Sequence, residues 1–311
     1  MGVAQLAERQ PRTRYSALMT SRPTRRLGAH HVSAIGFGAM QLPGPRVFGP
    51  PKDRDQALSV LRRSVELGIN HIDTAQYYGP DVANELIYSA LHPYPSDLVL
   101  VSKVGADRDE MGGWLPANKP EELRAGVEAN LASLHVDQLG AVNLRSGEAG
   151  EPNDLFDAQV GAMAAMREAG MIAGVGVSNV SLAQLERARS ITAIVCVQNA
   201  YNLRDRGSEP VLEACEAAAI AFVPFFPLGS AFGASVDVTA DQAVINVAHR
   251  LDATPAQVAL AWLLARSAQI LLIPGTSSVG HLEENFASAS LVLDDQALHE
   301  LAISTPLTPT K

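Results

Sequence analysis

Short apolar runs alternate along this chain with stretches whose apolar residues recur every three or four positions. The runs are SAIGFGAM (33–40), NHIDTA (70–75), LVLVSKV (98–104), QLGAVNLR (138–145), IAGVGVSN (172–179), AIVCVQN (193–199), AFVPFFPL (221–228) and ILLIPGT (270–276). Between them lie ALSVLRRSVELG, ANELIYSAL, EELRAGVEANLASL, QVGAMAAMREAG, LAQLERARS, VLEACEAAA and AQVALAWLLARS, each with the i, i+3/i+4, i+7 spacing of a helix that covers one side of a sheet. Several runs are apolar on both faces, as strands of a buried parallel sheet are. Eight strands alternating with helices predict a (β/α)8 TIM barrel of the α/β class. An open doubly wound sheet would need a glycine-rich phosphate turn after its first strand, and IGFGAM lacks the third glycine.

Composition narrows the class without changing that picture. The 311 residues include 47% apolar and 18% charged positions, enough apolar material for a large core. No linker of distinct composition divides residues 28–311, so residues 24–311 are expected to form one barrel domain behind a flexible extension, residues 1–23. That extension carries arginines but no apolar segment of a secretory signal. Its GVAQLAERQP stretch resembles the product of reading through a transfer-RNA gene; Met19 is then the expected start, with residues 1–18 packing on nothing. Net charge is −9, and beyond the tail no basic cluster occurs, which argues against nucleic acid as a partner. No apolar run reaches the roughly 18–20 residues of a membrane span. Two cysteines, Cys196 and Cys215, form no CxxC pair, so a reducing, cytoplasmic setting is expected. No His, Cys or acidic spacing suggests a metal. Nothing in the chain sets an oligomeric state.

Candidate chemistry follows from the fold, because active sites of such barrels lie at the C-terminal ends of the strands. Those ends read Asp73, Lys103, Arg145, Ser178 with Asn179, Gln198, and Thr276 with Ser277; Tyr78 follows Asp73 in DTAQYYG. Lys103 is one of only four lysines, and the only one inside an apolar run. Singly, a strand-end Asp can be a helix cap and a Lys can snorkel. Together they form a coherent set: an ammonium lowers the pKa of a neighbouring tyrosine, and a carboxylate balances the lysine's desolvation. Such a tyrosine can give its proton to a carbonyl oxygen as hydride reaches the carbon. Trp114, in the loop after the third strand, is a candidate wall of the substrate pocket. The other histidines (His30, His31, His71, His135, His299) have ordinary packing, turn or surface explanations.

DTAQYYG, the SK of LVLVSKVG, VGVSN, VQN, and FPL before IPGTS resemble the aldo-keto reductases in order and spacing, over about residues 24–305. The closer likeness is to a bacterial branch that includes pyridoxal reductase, through GAMQLPGPRVFGPPKDR, VNLR, VCVQNAYN, VPFFPLG and ILLIPGTSSVGHLEEN. The resemblance implies reversible hydride transfer between NADPH and an aldehyde or ketone, pyridoxal among the candidates. Tyr78 would be the general acid, tuned by Lys103 and Asp73. Ser178, Asn179 and Gln198 would hold the nicotinamide carboxamide, and Phe225, where the family usually has Tyr, would stack on the ring. Gly38 and Met40 would lie beside the cofactor, with Pro227 and Leu228 following Phe225. The adenosine end would fall to Gly275, Thr276, Ser278, His281 and Asn285.

Two departures from the family pattern stand out. Arg145 replaces the usual histidine; it cannot shuttle protons but can orient a carbonyl oxygen and favour an anionic substrate. Alternatively it pairs with an acid and faces away. Gly275 and His281 stand where relatives place Lys and Arg around the 2′-phosphate, so hydroxyls and the N-terminus of a helix from about Val279 are left for that role, and NADH is a second cofactor. Two rival functions are a nucleotide-binding regulatory subunit and a lyase with Lys103 as a Schiff base.

Overall fold

A computed structural model describes residues 23–229 and 237–303. The extension expected at residues 1–23 therefore lies outside the described residues except for Pro23. An antiparallel hairpin, β1 (Thr24–Leu27) and β2 (His30–Ser33), comes first. Barrel strand β3 (Phe37–Gly38) leads to helix α1 (Arg54–Glu66), and β4 (His71–Asp73) to α2 (Val82–Leu91). The long β5 (Val99–Arg108) folds back on β6 (Trp114–Ala117) before α3 (Pro120–Leu134). Then follow β7 (Ala141–Arg145), α4 (Asp154–Glu168), β8 (Val175–Ser178), α5 (Leu182–Ile191), β9 (Ile194–Gln198), α6 (Glu209–Ala218) and β10 (Ala221–Phe222). Helices α7 (Gln242–Arg250), α8 (Pro255–Arg266), α9 (Val279–Ala287) and α10 (Asp295–Ile303) complete the order.

Parallel pairing runs β10-β9-β8-β7-β5-β4-β3. The eighth barrel strand is a pair of parallel bridges, Phe222 to Ile270 and Ile35 to Leu272. Leu271 N–H donates to Phe222 O at 2.9 Å and Gly36 N–H to Leu272 O at 2.7 Å, so the ladder closes on itself. Helices begin where the chain supplies caps: Asp53 accepts from Gln56 N, Ser181 and Gln184 form a capping box, as do Thr254 and Gln257, and Ser278 accepts from His281 N.

The (β/α)8 expectation is met, with shorter strands than the apolar runs suggested. The run at 33–40 pairs in earnest only at Phe37–Gly38 before a 3-10 turn, Ala39–Gln41, and the run at 221–228 only at Ala221–Phe222. Ile35 keeps a bridge to Leu272 and Phe225 one to Ala200, while Met40, Pro227 and Leu228 lie in the segments beyond those strands. The β1–β2 hairpin, β6, α7 and α10 were not expected, because they stand outside the strand–helix repeat that the periodicity reports. The hairpin plugs the bottom: Leu27 and Val32 join Val99, Val101, Ala141, Cys196 and Leu271 inside the barrel. A second, larger core lies between sheet and helices. Among the described residues, no helix is long and apolar enough to cross a membrane.

Candidate active site

The expected strand-end residues meet at the C-terminal mouth. Asp73 closes β4, next in register to Gly38 of β3. Lys103 lies on β5 with 8% of its surface exposed, and its Nζ is ion-paired with Asp73 Oδ1 and donates to Thr74 O at 3.3 Å. Gln198 Nε2 donates to the other Asp73 oxygen at 2.6 Å. One buried carboxylate thus binds a lysine and an amide together, which answers the desolvation of both charges. Arg145, Ser178 and Gln198 form a row across β7, β8 and β9 in consecutive register.

Tyr78 comes from the loop after β4, which is held by bonds from Tyr78 N to Ala75 O (3.0 Å) and from Asp81 N to Gln76 O. Its buried ring lies 5.2 Å from Lys103 Nζ and stands edge-on to Tyr77, with centroids 5.3 Å apart. Burial, and after it the charge of Asp73, pushes the Tyr78 hydroxyl well above the usual phenol range. Lys103, the cation expected to depress that pKa, is bound to Asp73, and the opposing cation is Arg145. Arg145 is exposed and forms no ion pair with an acid among the described residues. Lys103, engaged by a carboxylate and a carbonyl, has the setting of a charge partner and not of the free amine a Schiff base needs.

Polar residues on the apolar stripes of α2 and α3 support this loop. Asn84 receives Thr74 Oγ1 at 2.7 Å and donates to Asn130 Oδ1 at 3.0 Å. Asn130 also accepts from Ser102 Oγ and donates to Gln76 Oε1 at 3.0 Å. Nothing in the strand-end pattern points to this network. Its signal is visible, since Asn130 interrupts the buried series Leu123, Val127, Leu134.

A nicotinamide dinucleotide suits the remaining residues. Gln198 Oε1 is buried without a partner, an acceptor left for an amide N–H. Ser178 is buried beside it, and Asn179, at φ 58°, spends its Nδ2 on the carbonyls of Ser146 and Gly147, leaving its oxygen to accept. Phe225 is half-buried and bridges Ala200; Pro227 and Leu228 continue that half-buried segment. Met40 lies in the turn after Gly38, and a cavity of about 430 Å3 lies between Met40 and Ser277, lined also by Arg46 and Lys52. Thr276 Oγ1 accepts from Ser278 N at 3.0 Å, and Ser278 caps α9 near exposed His281 and buried Asn285. Both hydroxyls therefore accept within the turn and keep their O–H groups to donate. A Cβ on Gly275 would meet Gly38 O at 2.6 Å, and one on Gly38 would meet Ile273 O at 2.5 Å. The first and eighth strands thus approach so closely that any side chain at 275 would force one of them to shift. Trp114, placed by β6, is 46% exposed and edge-on to Tyr77 at 5.7 Å. Among the described residues no His, Cys, Asp or Glu group could hold a metal ion.

Residues 34–304 match the Aldo/keto reductase family. The chain is 48% identical over 278 residues to pyridoxine 4-dehydrogenase of Escherichia coli, covering 88% of this chain and 96% of the relative. It is 37% identical over 278 residues to an oxidoreductase of Schizosaccharomyces pombe, covering 89% of this chain and 88% of the relative. Among solved structures it is similar to an aldo-keto reductase from Klebsiella pneumoniae in complex with NADPH, with TM-score 0.76 and 26% identity over 94% of this chain and 98% of that one.

Proposed function

We propose, since the chain belongs to the aldo/keto reductase family, that it reduces pyridoxal-type aldehydes with NADPH and that Tyr78 supplies the proton. The observation that carries this reading is the Asp73–Lys103–Gln198 cluster, with Tyr78 against Lys103 at the barrel mouth. NADPH, when bound, supplies the hydride. The protein's own groups do the rest. Ser178, Asn179 and the free Gln198 oxygen hold the carboxamide, and Phe225 covers the ring by its aromatic face. Gly38 and Met40 leave room beside it. Thr276, Ser278, His281, Asn285 and the α9 N-terminus take the adenosine phosphate end, Gly275 allowing the close turn.

Burial holds Tyr78 in its protonated form, the form from which a donor starts, while the same upward shift weakens it as an acid. Arg145 opposes that upward shift and so eases the proton's departure; it also attracts a carbonyl oxygen or a phenolate such as pyridoxal carries. Pyridoxal rests on the 48% identity to the E. coli enzyme. Net charge −9 favours a small-molecule partner over nucleic acid, and the two buried, unpaired cysteines suit the cytoplasm.

The test is nicotinamide absorbance with pyridoxal, comparing wild type, Tyr78→Phe and Arg145→Leu with NADPH and NADH. Tyr78→Phe should lose about 10²–10⁴ in kcat while still binding NADPH, and Arg145→Leu should lose more on pyridoxal than on a neutral aldehyde. Unchanged turnover in Tyr78→Phe would remove the proton donor. Binding of NADPH without turnover of any aldehyde would instead assign a nucleotide-binding regulatory role.

A further inference from the structure

We infer that Arg108 is a positioning residue that clamps the β5–β6 hairpin and so holds Trp114 as a fixed wall for a flat aromatic aldehyde. The inference rests on the proposed reductase reading and adds to it the element that selects the substrate's shape.

Arg108 ends β5, further along the same strand as Lys103, and only 7% of its surface is exposed. Its Nη2 donates to Arg46 O at 3.0 Å, in the loop after β3, and to Gly112 O at 2.8 Å, in the hairpin turn. Its guanidinium carbon lies 4.1 Å from the Trp114 ring centroid and 5.4 Å from that of Phe48. One planar cation therefore joins two loops and stacks between two aromatic rings, a combination a lysine cannot supply. Gly112 belongs to the same lock: it adopts φ 79°, and a Cβ there would meet Phe48 Cγ at 2.9 Å.

The clamp is costly. Arg108 Nε and Nη1 are buried with no partner, and no carboxylate pairs with it among the described residues. Such a group costs stability, so its place here calls for a role other than holding the fold together. What it serves is legible in the rings that follow: Trp114 meets Tyr77 at 5.7 Å, and Tyr77 meets Tyr78 at 5.3 Å. The indole, gripped by Arg108 yet nearly half exposed, stands one ring removed from the proton donor. A planar substrate that brings its carbonyl to Tyr78 lies against that indole, whereas a short aliphatic aldehyde does not reach it.

The experiment measures kcat and KM of wild type, Arg108→Met, Arg108→Lys, Trp114→Ala and the Arg108→Met/Trp114→Ala double variant, with pyridoxal and propanal, alongside hydrogen exchange of residues 105–117. Arg108→Met should raise KM for pyridoxal about fivefold to tenfold with KM for propanal moving less than about twofold, the effect falling in KM and not in kcat. Arg108→Lys should recover part of it. Hairpin exchange should quicken in Arg108→Met, and its KM effect should vanish in the Trp114→Ala background, since the arginine acts through that ring. Equal KM shifts for both aldehydes, unchanged hairpin exchange, or full additivity in the double variant would each overturn the inference. If the wild type turns over neither aldehyde, the reductase reading falls first, a result distinct from normal turnover that ignores Arg108.

Discussion

Lys103 shows how one residue out of keeping with its surroundings announces a site. Its flanks, Val99 to Ser102 and Val104 to Asp107, are apolar but for Ser102 and Asp107, and the barrel puts the ammonium on Asp73. The tyrosine was the harder residue: its place in the cluster follows from the spacing in DTAQYYG, but its titration follows from burial, which no spacing reports. His71 is a second case. It points into the barrel, fully buried, with both ring nitrogens unpartnered. Burial lowers its pKa from the usual 6.5 to about 4, Asp73 opposing and Lys103 adding to the shift. The fold therefore holds it neutral, while the unfolded chain takes up a proton near pH 6.5. Its contribution is complete above that pH and is lost as pH falls toward 4. At ~1.4 kcal/mol per pKa unit the loss amounts to roughly 3 kcal/mol. Urea unfolding at pH 7.5 and 4.5 should show a gap between wild type and His71→Gln that shrinks on acidification, by lowering wild type more; parallel pH profiles would contradict it.

At the scale of elements, apolar stripes foretell most helices, because the spacing is local. The exceptions are instructive. Helix α7 has its apolar residues at Val244, Val247 and Ala248, but it breaks the strand–helix alternation and so had no slot to fill. The Asn84–Asn130–Ser102–Gln76 network links α2, α3, β5 and the Tyr78 loop, elements distant in sequence. Asn130→Ala would take a partner from buried Asn84 and Ser102 and from half-buried Gln76; it should cost about 2–4 kcal/mol, seen as a lower Tm, and reduce kcat by loosening the Tyr78 loop. Arg124→Ala, which breaks the exposed pair with Glu128 on the same helix, should change stability by less than about 0.5 kcal/mol. Equal effects of the two would show that the buried network carries no special weight.

Across the whole molecule, the two ends of the barrel divide the work. The bottom is a plug, Leu27 and Val32 against the strand interior, and every proposed site residue lies at the other end. Leu27→Asp buries an unpaired charge there and should cost about 3 kcal/mol or more in denaturant unfolding, while the folded fraction keeps its KM for NADPH. A changed KM would mean that the plug is coupled to the mouth.

The class of fold, the alternation of its barrel strands and helices, and which polar residues end the strands are legible in the chain, because apolar periodicity acts over a few positions and is written where it acts. Tertiary structure alone decided the rest. The eighth strand exists as two bridges because closure, not local propensity, holds it. Gly275 is required by the backbone of Gly38, which lies more than two hundred residues away along the chain. The Tyr78 hydroxyl is set by burial and by two charges of opposite sense, and Arg108 acquires its grip only when the loop after β3 and the β5–β6 hairpin come together. Each of these depends on distance and exposure between remote segments, quantities that come into being only when the barrel closes.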